Sequence, residues 1–207
     1  MSRRDYYAKV KLVAQNLRGE YGFSSPRVLR SDLRRIYAAE GIRIDLWDGL
    51  RKLRGAYFYD AEIGPSVLLQ RGLPIEPLIF TMGHELKHHF CDRSEDDALV
   101  SLCSDANVSE AIEIGAEIFA AELIYPDEDF CEELERRKIR RGECDAAAIV
   151  RLKHDTATTL SYTSLAKRAM VFGYASDGAL EQVRWRRLAE EMYGEPLYKR
   201  LLRRRRG

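Results

Sequence analysis

One stretch of the sequence decides the expected fold, Phe80-Thr81-Met82-Gly83-His84-Glu85-Leu86-Lys87-His88-His89-Phe90. It follows Pro74 and Pro77, and because proline is accepted at the start of a helix but not in its middle, the pattern predicts a helix over about residues 76–91. Apolar side chains recur along it at helical spacing and predict the face that packs on a core: Leu78, Met82, Leu86 and Phe90. The histidines His84 and His88 lie on roughly the opposite side and are expected to face a cleft.

The segment His84-Glu85-Leu86-Lys87-His88 has the spacing of a metal-binding helix. Residues i and i+4 lie one turn apart, with Cβ atoms about 5–6 Å apart, so two imidazoles can bind one ion. Glu85 can reach the open side of that ion and take a proton from water. We therefore predict His84 and His88 as metal ligands and Glu85 as the catalytic base. His89 points about 100° away from His88 around the helix and is expected to have no role.

A third ligand is expected, since catalytic zinc usually takes three from the protein. Apolar spacing predicts a second helix from about Ser109 to Ile124, which Pro126 ends. Glu113 and Glu117 share one face of it beside the apolar stripe, and Glu113 is the predicted ligand. Glu117, one turn further on, is a candidate to hydrogen-bond a ligand histidine. Glu122, on the other flank, is expected to be solvated.

The remaining periodicity places further helices and short strands around these two helices. Two helical segments precede three strand candidates, at about 42–46, 56–59 and 66–69. Helices followed by closely spaced strands predict an α+β domain with a small antiparallel sheet packed on helices. We expect an α+β domain that carries the predicted metal site over about residues 1–142 and a helical C-terminal subdomain with a basic tail over about 143–207.

Composition excludes several classes of protein. Lys and Arg total 34 against 33 Asp and Glu, so no net field favours nucleic acid or membrane. No apolar run reaches the roughly 18 residues of a membrane span, and the first part of the chain lacks the pattern of a signal peptide. The four cysteines form no CxxC pair, which argues against a zinc knuckle, and they are expected to be reduced thiols. We therefore expect a cytoplasmic protein without membrane contact.

Two segments in order, Phe80–His88 and Glu113–Pro126, resemble the ImmA/IrrE family of HExxH metallopeptidases. Members of that family show F-T-x-A-H-E-x-G-H and then, after a variable loop, E-x-x-A-N-x-F-A-A-x-L-L-M-P. The match covers about residues 26–126. It implies a zincin-like, specifically gluzincin-like, fold with His84, His88 and Glu113 as ligands of Zn²⁺ and Glu85 as base. Mn²⁺ or another divalent ion is an alternative.

The chain departs from the family pattern at four positions. Gly83 replaces the usual Ala, Lys87 the usual Gly, Glu117 the usual Asn or Asp, and Tyr125 the usual Met. Because charged side chains avoid the interior, Lys87 is expected to project to the solvent or the rim of the cleft. Glu117 keeps an acceptor at the polar position.

The resemblance implies an enzyme with a narrow substrate. Such peptidases cleave a helix-turn-helix transcriptional repressor and thereby relieve repression in a mobile element or a stress response. The mechanism that we expect has Glu85 take a proton from the attacking water and deliver it to the leaving amine. A further donor stabilises the oxyanion, and Tyr125, Tyr162 and His154 are the candidates.

Two alternatives from other classes stay open. The first alternative is a DNA-binding regulator whose metal site is sensory or vestigial. Its helix-turn-helix would be formed by Asp145–His154 and Thr163–Ala169. Lys167 and Arg168 would then face the DNA phosphates, together with Arg203–Arg206. The simpler expectation is a helical subdomain that helps to dock the substrate. The other alternative is a toxin–antitoxin-type protein that acts by binding alone.

Overall fold

The computed structural model describes residues 2–50, 53–93 and 106–204. Residues 94–105, which include Cys103, lie outside the described residues, as does the end of the basic tail. Two compact units are present: Met1–Asp127 with Ala157–Leu160, and Glu128–Thr156 with Ser161–Gly207. The domain boundary at residue 142 stays a prediction.

The first unit has the expected α+β architecture. Its elements, in chain order, are α1 Arg3–Glu20, α2 Arg30–Ala39, β1 Arg43–Trp47, β2 Gly55–Asp60, β3 Gly64–Gln70, α3 Ile75–Lys87, a π turn His88–Asp92 and α4 Ala106–Ile124. A capping box begins α1, in which the Ser2 hydroxyl accepts from the backbone N–H of Asp5 and the Asp5 carboxylate accepts from that of Ser2.

The three strands form a mixed sheet in the order β1-β3-β2. β2 and β3 are an antiparallel hairpin, in which the Asp60 carboxylate accepts from the backbone N–H groups of Glu62 and Ile63 in the turn. β1 runs parallel to β3, so the wholly antiparallel sheet expected from the sequence is corrected to a mixed one. β3 takes the centre because Val67 and Leu69 are its buried residues, and β2 is left as an edge strand.

The core of this unit places α3 against α4. The expected apolar face of α3 is confirmed at Leu78, Met82 and Leu86, which are buried. A Cβ added to Gly83 would lie 3.2 Å from the Cβ of Ala120, so the two helices approach closely at this point. Close packing here brings the histidines of α3 and the glutamates of α4 to one side of the core.

The end of α4 is fixed to α1 by buried polar groups. The Arg18 guanidinium donates to the carbonyl oxygens of Leu123 at 2.7 Å and Ile124 at 3.1 Å, where the helix leaves carbonyls without internal partners. Glu122 is fully buried and accepts from Gln15 Nε2 and the backbone N–H of Asp127. The expectation that Glu122 is solvated is therefore wrong, because these partners compensate the burial of its charge.

The second unit is helical. Its elements are α5 Asp127–Arg136, which begins at the last residue of the first unit, α6 Ala146–Thr156, α7 Tyr162–Val171, α8 Trp185–Tyr193 and α9 Leu197–Arg204. On α7, Lys167 is exposed, whereas Arg168 is buried with its guanidinium 5.8 Å from the centre of the Phe130 ring. Of the two cations expected to face phosphates, only Lys167 is therefore accessible. Among the described residues, no helix combines the length and apolarity needed to cross a membrane.

Candidate metal centre

Three predicted ligand residues meet at one side of the first unit. His84 and His88 lie one turn apart on the helical run formed by α3 and the π turn, with ring centres 5.3 Å apart. Glu113 of α4 faces both: its Oε2 lies 3.2 Å from His84 Nε2 and its Oε1 lies 3.9 Å from His88 Nε2. One ligand atom from each residue lies within 4.8 Å of the other two. Two imidazole nitrogens and a carboxylate oxygen are a donor set that suits zinc, so these residues could hold a divalent ion.

The Glu113 carboxylate and the His84 imidazole stabilise each other's charged forms. The hydrogen bond from His84 and the nearby imidazoles hold the pKa of Glu113 below its ordinary value, although burial opposes this. Burial acts to lower the pKa of His84, but the hydrogen bond with Glu113 and the carboxylates of Glu85 and Glu117 outweigh it and raise that pKa. A site that favours positive charge beside a carboxylate is electrostatically suited to a cation.

Glu85 lies directly behind this group of ligands. Its side chain is in the core, with 4% of the residue exposed, and burial raises its pKa above the ordinary value in spite of His84 and His88. The backbone N–H of Tyr57 on β2 acts on this carboxylate in the opposite direction and lowers the pKa of Glu85. Gly55, on the same strand, leaves the necessary room, because a Cβ there would lie 2.6 Å from Glu85 Oε1. The carboxylate is therefore held by the edge strand, with a pKa shifted in the direction that suits proton transfer near neutral pH.

The sequence also matches a known protein family. The model of the peptidase M78 family, described as the IrrE N-terminal-like domain, matches residues 44–168. The chain belongs to this family. A search among curated proteins gives no significant match. The resemblance noted from the two sequence motifs is thereby confirmed, and the family is one of peptidases.

Lys87 is a departure from the M78 pattern and also from our expectation. The side chain is fully buried, not at the solvent or the cleft rim. Its Nζ donates to both carboxylate oxygens of Asp92, at 2.9 and 2.6 Å, and to the carbonyl oxygen of Ile112 at 3.0 Å. Burial of the ammonium is possible because a carboxylate and a carbonyl replace its water.

Asp92 contacts a predicted ligand histidine, a contact that the sequence interpretation missed. Its Oδ2 lies 2.6 Å from Nδ1 of His88. A carboxylate of this kind was expected from Glu117, which is exposed. The sequence carries a signal for Asp92, an acid four residues after the second histidine, but the helix predicted from the sequence ends at about residue 91, before Asp92.

His89 has structural partners, although no role was expected for it. It is buried, with Nδ1 3.0 Å from the Tyr57 hydroxyl and Nε2 3.4 Å from Glu40 Oε2. Burial lowers its pKa, against the effect of Glu40. His89 therefore connects the edge strand, which holds Glu85, to the end of α2.

The three candidates for the oxyanion donor lie in different surroundings. Tyr125 is buried just after the last residue of α4. At a rise of ~1.5 Å per residue it lies about 18 Å from Glu113 along the helix axis, and this distance separates Tyr125 from the metal centre. In the second unit, His154 stacks on Tyr193 with ring centres 3.7 Å apart. Tyr162 stacks on Trp185 at 5.7 Å. The assignment among the last two stays a prediction.

Proposed function

We propose that this M78 protein is a zinc-dependent endopeptidase in which His84, His88 and Glu113 bind the ion and Glu85 transfers the proton. The observation that carries the proposal is the convergence of the three ligand atoms within 4.8 Å beside a buried carboxylate. Manganese or another divalent ion is the alternative cofactor, because the same donors bind several divalent ions.

A bound divalent ion would supply Lewis acidity, which polarises a peptide carbonyl and makes a neighbouring water more acidic. The carboxylate of Glu85 accepts the proton of the attacking water and delivers it to the leaving amine. Because burial raises the pKa of Glu85, its carboxylate is a stronger base toward the attacking water than an exposed glutamate.

The substrate that we propose is a helix-turn-helix transcriptional repressor, cleaved in the cytoplasm to relieve repression. Support comes from the two motifs shared with the ImmA/IrrE family and from the family match over residues 44–168. The second unit, with its separate helical core, offers surface outside the metal centre on which a folded substrate can dock.

The experiment incubates the purified zinc-loaded protein with the small helix-turn-helix protein encoded nearest to its gene and follows peptide-bond cleavage by mass spectrometry. We expect cleavage at a defined bond, loss of cleavage with a chelator, and restoration by zinc. Glu85→Gln should bind zinc and lose cleavage. Cleavage by Glu85→Gln at the rate of the wild type, or cleavage unaffected by chelator, would contradict the proposed mechanism.

A further inference from the structure

We propose that Lys87 and Asp92 are positioning residues for the metal centre: Lys87 holds the Asp92 carboxylate against His88 and joins the two helices that carry the ligands. The inference rests on the proposed function, since it concerns the same three ligands. It assigns a purpose to a buried lysine that stands where the ImmA/IrrE motif quoted above has glycine.

The Asp92 carboxylate holds one nitrogen of the His88 ring, Nδ1. A carboxylate only accepts hydrogen bonds, so at 2.6 Å His88 Nδ1 must be the donor to Asp92 Oδ2. The lone pair of His88 is then on Nε2, the atom that faces Glu113 Oε1. A carboxylate partner of this kind fixes the tautomer and orientation of a ligand histidine and makes it more basic.

The π turn explains how one aspartate reaches both neighbours. In a regular α-helix, residues five apart lie about 140° apart around the axis, so Asp92 would point away from Lys87. The chain adopts a π turn over His88–Asp92, in which hydrogen bonding runs from i to i+5 and residues five apart come to the same side. Asp92 thereby lies over Lys87 and His88 together.

Lys87 also contacts the helix that carries the third ligand. Its Nζ donates to the carbonyl oxygen of Ile112, the residue immediately before Glu113 on α4. The ring of Tyr6 from α1 covers the ammonium, with Nζ 5.6 Å from the ring centre. Gly115 makes this cover possible, because a Cβ there would lie 2.9 Å from the Tyr6 ring. One ammonium therefore links the His88 side of the centre to the Glu113 side.

A purely structural salt bridge is the competing explanation. A buried ion pair is weak evidence for stability, because desolvation offsets the attraction. The two explanations differ in what they predict for metal binding: a structural pair changes the stability of the protein alone, whereas a positioning pair changes its affinity for zinc. The discriminating readouts are therefore zinc affinity and the tautomer of His88.

The test measures zinc affinity by competition with a chromophoric chelator for Asp92→Asn, Lys87→Met and the double variant, with folding checked by circular dichroism. We expect each single variant to bind zinc about 10–100-fold more weakly than the wild type. Because Lys87 acts largely through Asp92, the double variant should bind zinc about as weakly as the weaker single variant, and its loss should be clearly smaller than the product of the two single losses. Lys87→Arg should recover part of the affinity. A folded single variant with wild-type affinity, or two losses that multiply, overturns the proposal.

Arg18→Met is the matched control. Arg18 is another buried cation that donates to backbone carbonyls of α4, but at the far end of the helix. It should lower the stability of the protein and leave zinc affinity within about twofold of the wild type, since interactions at distant sites are independent. An equal loss of affinity in this control would show that general loosening, not positioning, weakens the metal, and would overturn the proposal.

A measurement on the wild type needs no variant to fold. Long-range ¹H–¹⁵N spectra of the imidazoles, recorded on zinc-free protein, should show His88 as the tautomer protonated on Nδ1. Protonation on Nε2 alone overturns the inference. Failure of the proposed function gives a different result. If the wild type binds no zinc, the metal centre itself is refuted. If the wild type binds zinc tightly and the variants keep its zinc affinity, only the role of Lys87 and Asp92 is refuted.

Discussion

The Nε2 atom of His84 on α3 lies 3.2 Å from Oε2 of Glu113 on α4. The two helices approach closely at Gly83 and Ala120, so packing of the backbones sets the spacing of the helices that carry these two residues. A site prepared in this way has less conformational entropy to lose when a cation binds.

Glu113→Gln should weaken zinc binding because a direct ligand loses its charge. The loss of affinity should exceed the loss of about 10–100-fold that is typical when a residue hydrogen-bonded to a ligand is changed. Glu117→Gln is the matched control: it lies one turn further along α4, is exposed, and should change zinc affinity by less than about threefold. Chelator competition measures both. If the two variants lose affinity equally, the third ligand is assigned to the wrong glutamate.

Gly55→Ala should impair catalysis without affecting metal binding. Its Cβ would lie 2.6 Å from Glu85 Oε1 and 2.6 Å from Thr81 Cγ2, so the carboxylate must move. Overpacking of this kind costs about 1–3 kcal/mol, and a misplaced catalytic group can cost about 100-fold in rate. We expect kcat/KM for substrate cleavage to fall at least tenfold while zinc affinity is unchanged.

Gly19→Ala serves as the control for that substitution. Gly19 lies in α1 with no atom within 4 Å of an added Cβ, so alanine should be neutral or stabilising by about 0.5–1 kcal/mol through its helix propensity. Full activity in Gly55→Ala would mean that β2 does not hold Glu85 as closely as the geometry indicates.

Tyr37 should make the protein sensitive to alkaline pH. Its hydroxyl donates to the carbonyl oxygen of Met82 at 2.9 Å, and burial, together with the charge of Glu85, raises its pKa well above the ordinary value. The unfolded chain therefore loses this proton first, near pH 10. The contribution of Tyr37 to stability is complete below about pH 10 and is lost as the pH rises toward the folded pKa.

Urea unfolding of zinc-free wild type and Tyr37→Phe, at pH 8, 10 and 11, measures this effect. The free energy of unfolding of the wild type should fall by about 1 kcal/mol more than that of Tyr37→Phe between pH 10 and 11. Equal pH dependence of the two proteins would mean that Tyr37 ionises as easily in the folded state as in the unfolded one.

Zinc should stabilise the wild type by mass action. At a free zinc concentration a hundredfold above Kd, the expected gain is about 2.7 kcal/mol, seen as a higher midpoint of thermal unfolding. His84→Ala should lose most of this gain, since it removes a ligand. A zinc-dependent rise of equal size in His84→Ala would place the stabilising ion elsewhere on the protein.

The two helices of the site could be predicted from the sequence because their signals are local. The spacing of His84 and His88, and of Glu113 within its apolar stripe, follows from helical periodicity alone. The position of Glu113 beside the two histidines also follows, once the two motifs are taken together. These parts of the site depend on neighbours within a few turns of helix.

Other parts depend on long-range contacts and could not be predicted. Burial of Lys87 requires Ile112 from α4 and a π turn that places Asp92 beside it, and neither has a periodic signal. The parallel pairing of β1 with β3 depends on the order of the three strands in the sheet. The alternation of apolar residues within one strand does not encode that order. The contact of Gly55 with Glu85 joins a strand to a helix and is likewise invisible in local patterns.

Anomalous diffraction at the zinc absorption edge, from crystals of the zinc-loaded protein, tests the central claim most directly. We expect one strong peak bound by His84 Nε2, His88 Nε2 and a Glu113 carboxylate oxygen, at about 2.0–2.2 Å from each. A map with no peak between these three side chains, or with the ion bound to other residues, would contradict the account.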